Sequence, residues 1–198
     1  EFPVEIKNRV GLDVGASTGG FTDCLLKNGA AKVYAVDVGT AQLDVKLRGD
    51  SRVVNLEQTH ARTLRAGQFD PRPTLAVIDV AFISLTMVLP AAVQCLAAPF
   101  DILALIKPQF ELTPKQVPKG VVKTEKDRLE AIAKVRSSLA ALPVKEMGLA
   151  RVVIVDAHGF AFEITCKLAE AEAMKAFALD KRQGLQDNPV LVQRFTFL

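Results

Sequence analysis

Three acids and one lysine close apolar runs in this sequence: Asp13 in VGLDVG, Asp37 in VYAVDV, Asp79 in LAVIDV and Lys107 in LALIKP. Between the first two lies the turn Gly15, Ala16, Ser17, Thr18, Gly19, Gly20. Its glycines accept positive φ and let a ligand come close to the backbone, and a helix opening near Gly20 would aim unpaired N–H groups at a carboxylate or a phosphate. The spacing fits the GxGxxG dinucleotide fingerprint poorly, which disfavours a nicotinamide oxidoreductase. Asp13 would repel a pyrophosphate but receive an ammonium. Asp37, 24 residues later, can accept both hydroxyls of a ribose. S-adenosylmethionine offers an ammonium, a carboxylate and a ribose together. Ser17 and Thr18 either bond that carboxylate or satisfy the turn's own backbone.

The elements that must carry these groups alternate at short intervals. Strands are expected at 10–14, 32–38, 52–56, 74–80 and from 101, with helices at 20–27, 40–48, 84–97 and 125–142. Ser84 suits a cap, and Leu129, Ile132, Ala133, Leu139 and Ala140 are expected on one face of the last helix. Such alternation predicts an α/β, Rossmann-like fold with a mostly parallel sheet and helices on both faces, ligands binding beyond the carboxyl ends of the strands. Residues 58–73 read as a polar connection, and 108–123 as a loop long enough to touch substrate. Two strand-like runs, 144–155 and 160–168, flank the hairpin signal Asp156-Ala157-His158-Gly159, so an antiparallel last strand is expected. His158 is read as a turn residue. Residues 169–181 have helical composition, and 183–198 read as either a displaced strand or a loose tail.

With 198 residues, 49% of them hydrophobic, the chain can bury a core of its own. The longest apolar runs, 75–78 and 102–106, are too short to cross a bilayer, and nothing reads as a leader. Cys24, Cys95 and Cys166 are widely spaced in apolar surroundings, which points to a reducing cytoplasm and no structural metal. A net charge of +3 does not by itself imply a nucleic-acid partner. The basic residues do cluster: Lys115, Lys119, Lys123, Lys126 and Arg128 in one segment, Arg62, Arg65 and Arg72 in another. Solvated loop charges and phosphate contacts both explain such clusters.

LDVGASTGGFTDCLL, AVDVGTAQL, VIDVAFISL and IKPQFE followed by KGVV resemble the FtsJ-like RNA methyltransferases, in particular their haemolysin A or TlyA type. The likeness is good over residues 4–142, weakens to 168 and is lost beyond, so residues 1–168 are expected to be a methyltransferase domain and 169–198 an extension. The resemblance implies a class I methyltransferase sheet of seven strands, S-adenosylmethionine as cofactor, and ribose 2′-O-methylation of RNA, with ribosomal RNA or ribosomal subunits as partners. It places Asp13, Gly15, Ser17, Thr18, Gly19, Gly20, Asp37, Val38, His60 and Asp79 at the cofactor, His60 standing where relatives set asparagine beside the adenine. Lys115, Lys119 and Lys123 are assigned to RNA.

Methyl transfer from a sulfonium needs alignment and the handling of one proton rather than a metal. The family's Lys-Asp-Lys-Glu tetrad assigns Lys107 as proton acceptor and Asp79 as the group orienting it. Glu163 matches the last member by position, although alternation with Phe160, Phe162, Ile164 and Cys166 also explains an acid there. In relatives the first lysine belongs to a segment upstream of the matching residues, after a small RNA-binding domain. An impaired homologue that binds cofactor or RNA without turnover is the alternative. A membrane-damaging activity finds no long apolar or strongly amphipathic basic helix.

Overall fold

A computed structural model describes residues 4–152 and 190–197. Five parallel strands lie in the order β3-β2-β1-β4-β5: β1 (Val10–Val14), β2 (Lys32–Val36), β3 (Val53–Leu56), β4 (Leu75–Ile78) and β5 (Asp101–Ile106). Chain order reverses between β1 and β4, and the crevice beyond the strand ends at that reversal is where a sheet of this kind receives ligands. On the far side of β5, the backbone of β7 (Val190–Phe197) runs antiparallel to it and pairs in turn with β6 (Val144–Val152).

Strand residues alternate between two helical layers. Leu12, Val14, Val36, Ile78, Ile102 and Ile106 pack with Leu85, Val88, Leu89 and Ala92 of α3 (Leu85–Cys95) and with Ile132, Val135 and Leu139 of α5 (Glu125–Leu139). On the opposite face Val33, Leu75 and Val77 meet Leu25 and Leu26 of α1 (Gly20–Lys27). Burial on both faces explains why these strands read as nearly continuous apolar runs. At the opposite end of the sheet from the crevice, Arg9 joins the starts of three strands. It ion-pairs with Asp101 at 2.8 Å, and its guanidinium donates to the side chain and carbonyl of Thr74.

Several expectations need correction. The helix expected at 40–48 is reduced to α2 (Val45–Arg48), because Ala41 takes φ 52° and the N–H groups of Ala41, Gln42 and Leu43 donate to the Glu57 carboxylate. Residues 108–123 are not a plain loop: α4 (Pro108–Glu111) follows Lys107 directly, and a single 3₁₀ turn forms at Pro118–Gly120. α5 stops at Leu139 and buries Ala131, Ile132, Val135 and Leu139, while Leu129, Ala133 and Ala140 face solvent. Arg72 is no free surface charge, since its guanidinium donates to the carbonyls of Gln94, Cys95 and Leu96 at the end of α3. The hairpin at 156–159, the strand at 160–168 and the helix at 169–181, with His158, Glu163 and Cys166, lie outside the described residues. Of the segment 183–198, read as a displaced strand or a loose tail, residues 190–197 form a strand and the rest lie outside the described residues.

A cation at a helix C-terminus that also satisfies its last carbonyls contributes about 1–2 kcal/mol. Arg72→Ala should therefore lower unfolding free energy by that amount in urea titration, whereas Arg62→Ala, at an exposed position, should leave it within about 0.5 kcal/mol. Equal effects would reduce Arg72 to an ordinary surface charge.

Candidate active site

The turn after β1 is shaped by what its glycines exclude. Gly15 has φ 86°, and a Cβ there would stand 2.3 Å from the carbonyl oxygen of Asp79, so only glycine lets the ends of β1 and β4 come this close. Gly19, at φ 102°, would drive a Cβ to within 2.2 Å of Leu47 and 2.7 Å of Leu43. Both missing side chains make room for protein rather than directly for a ligand. Gly20 opens α1, whose N-terminus carries no side-chain cap. Asp13 is fully buried and accepts a hydrogen bond from Thr22 Oγ1 at 2.7 Å, which orients its carboxylate beneath the turn.

Asp37 stands just past β2. One carboxylate oxygen accepts from the Ser17 N–H and the other from the Gly39 N–H, each at 2.8 Å. These bonds tie the first turn to the second and fix the carboxylate without using all its acceptor capacity. Thr18 is exposed, and Val38 is 69% exposed although apolar. His60 is also exposed, and its Nδ1 accepts weakly, at 3.4 Å, from the Arg62 N–H, capping the short turn Ala61–Thr63.

Sequence reading missed Glu57, directly after β3. Its carboxylate accepts from Gln42 N–H at 2.7 Å and from Ala41 and Leu43 N–H groups at 3.0 Å. It thereby holds the segment after Asp37 and sets Leu43 beneath Gly19. Only an acid beside a strand end hinted at this role. The Leu43 N–H, helped by those of Ala41 and Gln42, keeps the Glu57 carboxyl below its usual range against some desolvation.

Across the switch point, Lys107 Nζ and Asp79 Oδ1 are 2.5 Å apart, with side chains 12% and 2% exposed. The two groups end neighbouring strands and form a nearly buried ion pair. Beside it, Phe82 is 92% exposed at φ 62°, and its ring lies 5.2 Å from that of Phe110. An exposed aromatic in a left-handed conformation is unusual for a residue that only packs, and it offers a face on which a nucleobase could stack. Phe82 was legible only as part of a motif. Lys115, Lys119 and Lys123 are all exposed beyond α4. Their segment is pinned through Gln116, which donates to Asp127 at 3.1 Å and to Glu130 at 2.9 Å. Asp13, Gly15, Ser17, Gly19 and Asp37 are thus linked around the first two strand ends, and Asp79 reaches them through Gly15. His60 contacts Arg62, and the three lysines stand exposed beyond α4, apart from these links.

The depressed Glu57 carboxyl gives a pH signature. Its contribution is complete above its ordinary value of 4.5 and is lost as pH falls through the lowered value. The backbone amide signals of Ala41, Gln42 and Leu43 should stay constant from neutral pH down to about 4.5 and shift together only below it. Glu57→Gln should speed their exchange with solvent by about tenfold at neutral pH through local opening. Movement beginning near pH 6 would contradict this arrangement.

A family model described as FtsJ-like methyltransferase matches residues 1–148. The 16S/23S rRNA (cytidine-2′-O)-methyltransferase TlyA of Mycobacterium tuberculosis is 52% identical over 122 residues, which is 61% of this chain and 46% of that protein. A crystal structure from Lactococcus lactis, provisionally described as a hemolysin, is 35% identical with a TM-score of 0.79, over 98% of this chain and 80% of that one. An S-adenosylmethionine-dependent methyltransferase from Listeria monocytogenes, also provisionally described, shares the fold at 12% identity, with a TM-score of 0.64 over 99% of this chain and 93% of that one. The chain spans about half the length of the curated relatives it matches. It has the Rossmann-like methyltransferase fold and belongs to the FtsJ-like methyltransferase family.

Proposed function

We propose that this chain is the methyltransferase domain of an RNA ribose 2′-O-methyltransferase that uses S-adenosylmethionine and acts on ribosomal RNA or ribosomal subunits in the cytoplasm. The observation that carries the reading is the buried Lys107–Asp79 pair, set next to a turn whose acids and backbone suit that cofactor. In this reading residues 1–168 are the methyltransferase domain, 169–198 are an extension packed on it or partly loose, and the sheet has seven strands with an antiparallel last strand.

The residues present fit the cofactor. The Asp37 carboxylate, already fixed by two backbone donors, keeps lone pairs for the ribose hydroxyls. Val38 gives an exposed apolar side chain for the adenine, with His60 at its edge. The uncapped start of α1, with Thr18 and Gly20, suits the carboxylate, and Asp13 supplies negative charge for the ammonium. When bound, the cofactor supplies a methyl group already activated on a sulfonium.

The chain's own groups do the remaining work. Lys107 handles the proton and charge of the ribose hydroxyl, and Asp79 holds its Nζ in place. Phe82 and Phe110 offer the base a stacking surface. Lys115, Lys119 and Lys123 meet phosphates, and Glu163, outside the described residues, is assigned as the last carboxylate of the set. Among the described residues no helix is long and apolar enough to cross a membrane.

Calorimetry with S-adenosylmethionine and NAD on the same sample tests the cofactor: only the first should bind, and Asp37→Ala should weaken it by about 1–3 kcal/mol. Lys107→Ala should leave that binding intact while reducing labelled methyl transfer to ribosomal subunits by about 10²- to 10⁴-fold. Full transfer by a folded Lys107→Ala variant would remove the lysine from the chemistry. Replacing Lys115, Lys119 and Lys123 with Gln should flatten the salt dependence of RNA binding by roughly one unit of slope per lost contact. An unchanged slope would make them ordinary solvated charges.

A further inference from the structure

The segments after β4 and β5 are joined at three successive levels. Lys107 meets Asp79, Phe110 meets Phe82, and the Glu111 carboxylate meets the start of α3. At the third level Ser84 Oγ donates to one oxygen of Glu111 at 2.5 Å and the Leu85 N–H donates to the other at 2.8 Å. Glu111 is 3% exposed. From α5, Lys134 Nζ donates to the Glu111 carbonyl and lies 4.0 Å from its carboxylate.

A carboxylate is costly to bury unless charge-assisted hydrogen bonds and a favourable field offset the desolvation. Two donors and the positive end of an 11-residue helix supply both here. The short turn α4 has only four residues and no side-chain cap at its start, so it is too short to hold its own conformation. Lys107 is the residue at which that turn begins. Whatever fixes α4 therefore fixes the direction in which the Lys107 side chain leaves β5.

We infer that Glu111 is a positioning residue for Lys107: its buried carboxylate, bonded to Ser84 and Leu85, locks α4 and so holds the Lys107 Nζ against Asp79. This rests on the catalytic role proposed for Lys107. In this arrangement Glu111, 3% exposed, acts only through the lysine. Glu111→Gln keeps size and one acceptor oxygen but removes the charge that the Ser84 hydroxyl and the helix end favour.

The test is labelled methyl transfer to ribosomal subunits by the full-length protein, comparing wild type, Glu111→Gln, Lys107→Ala and the double variant, with S-adenosylmethionine binding measured on each. Glu111→Gln should lower kcat about 10- to 100-fold, as expected for misplacement of a reacting group by about 1 Å. Its KM for subunits and its cofactor affinity and stoichiometry should stay within about twofold. In the Lys107→Ala background the same change should alter the residual rate by less than about twofold, because its effect passes through the lysine. Wild-type kcat in Glu111→Gln, or losses that multiply in the double variant, would overturn the inference. A fall in kcat matched by an equal fall in cofactor-binding stoichiometry would also overturn it, as the mark of a fold defect. Should Glu111→Gln not fold, Ser84→Ala removes one of the two bonds and should lower kcat several-fold with the same non-additivity; wild-type kcat there would count equally against it. Wild-type protein that transfers no methyl group, or Lys107→Ala at full rate, would defeat the underlying catalytic reading, and this inference with it, in a recognisably different way.

Discussion

Gly15 places nothing but a hydrogen between the end of β1 and the carbonyl of Asp79, and much of the site depends on that contact. A Cβ would stand 2.3 Å from the oxygen, a distance no side-chain adjustment can relieve because the Cβ is fixed to the main chain and the oxygen belongs to it. The strands are therefore held at the closest approach just where the chain order reverses. On one side of the contact stands the turn that reaches Asp37 through Ser17, and on the other the acid that holds Lys107. A shift of β1 against β4 would move both sets of groups relative to each other. Such a shift is costly to a reaction that depends on alignment.

Two carboxylates outside that contact perform the same service on either side of it. Glu57 gathers three N–H groups of the segment after β2, and Glu111 gathers a hydroxyl and an N–H at the start of α3. In each case backbone donors beside a strand end find no partner within their own element, and a carboxylate from the segment after the next strand satisfies them. Glu57 is reached by solvent and Glu111 is not. Glu111 is tied into the packing through the start of α3 and through Lys134 of α5.

The strand ends bearing Asp13, Asp37, Asp79 and Lys107 were legible because parallel strands buried on both faces leave nearly pure apolar runs, against which one charged residue stands out. The Ser84 cap was legible for a similar local reason: a hydroxyl before an apolar helical stripe. Residues 40–44 were misread because Ala and Gln have good helical propensity, and only a carboxylate from Glu57, 14 residues beyond Leu43, turns that stretch into a loop. The face of α5 was misplaced because Leu129 and Ala133 are apolar without being covered, which composition does not distinguish from burial. Phe82 escaped notice because its φ and its exposure, rather than its type, set it apart.

The basic residues divide on the same physical ground. A guanidinium near a helix C-terminus finds carbonyls with no intrahelical donor, and Arg72 is consumed by three of them. Lysines on the segment after α4 find no such acceptors among the described residues and stand in solvent, while Gln116 and the capped start of α5 keep their backbone in place. A pinned backbone bearing unpaired cations loses little further freedom when a polyanion binds, so its charges act together rather than as separate flexible tethers. Charge clustering in the sequence treats these two groups alike. It is the fate of the helix-end carbonyls that separates an arginine that closes the fold from lysines that remain available to a partner.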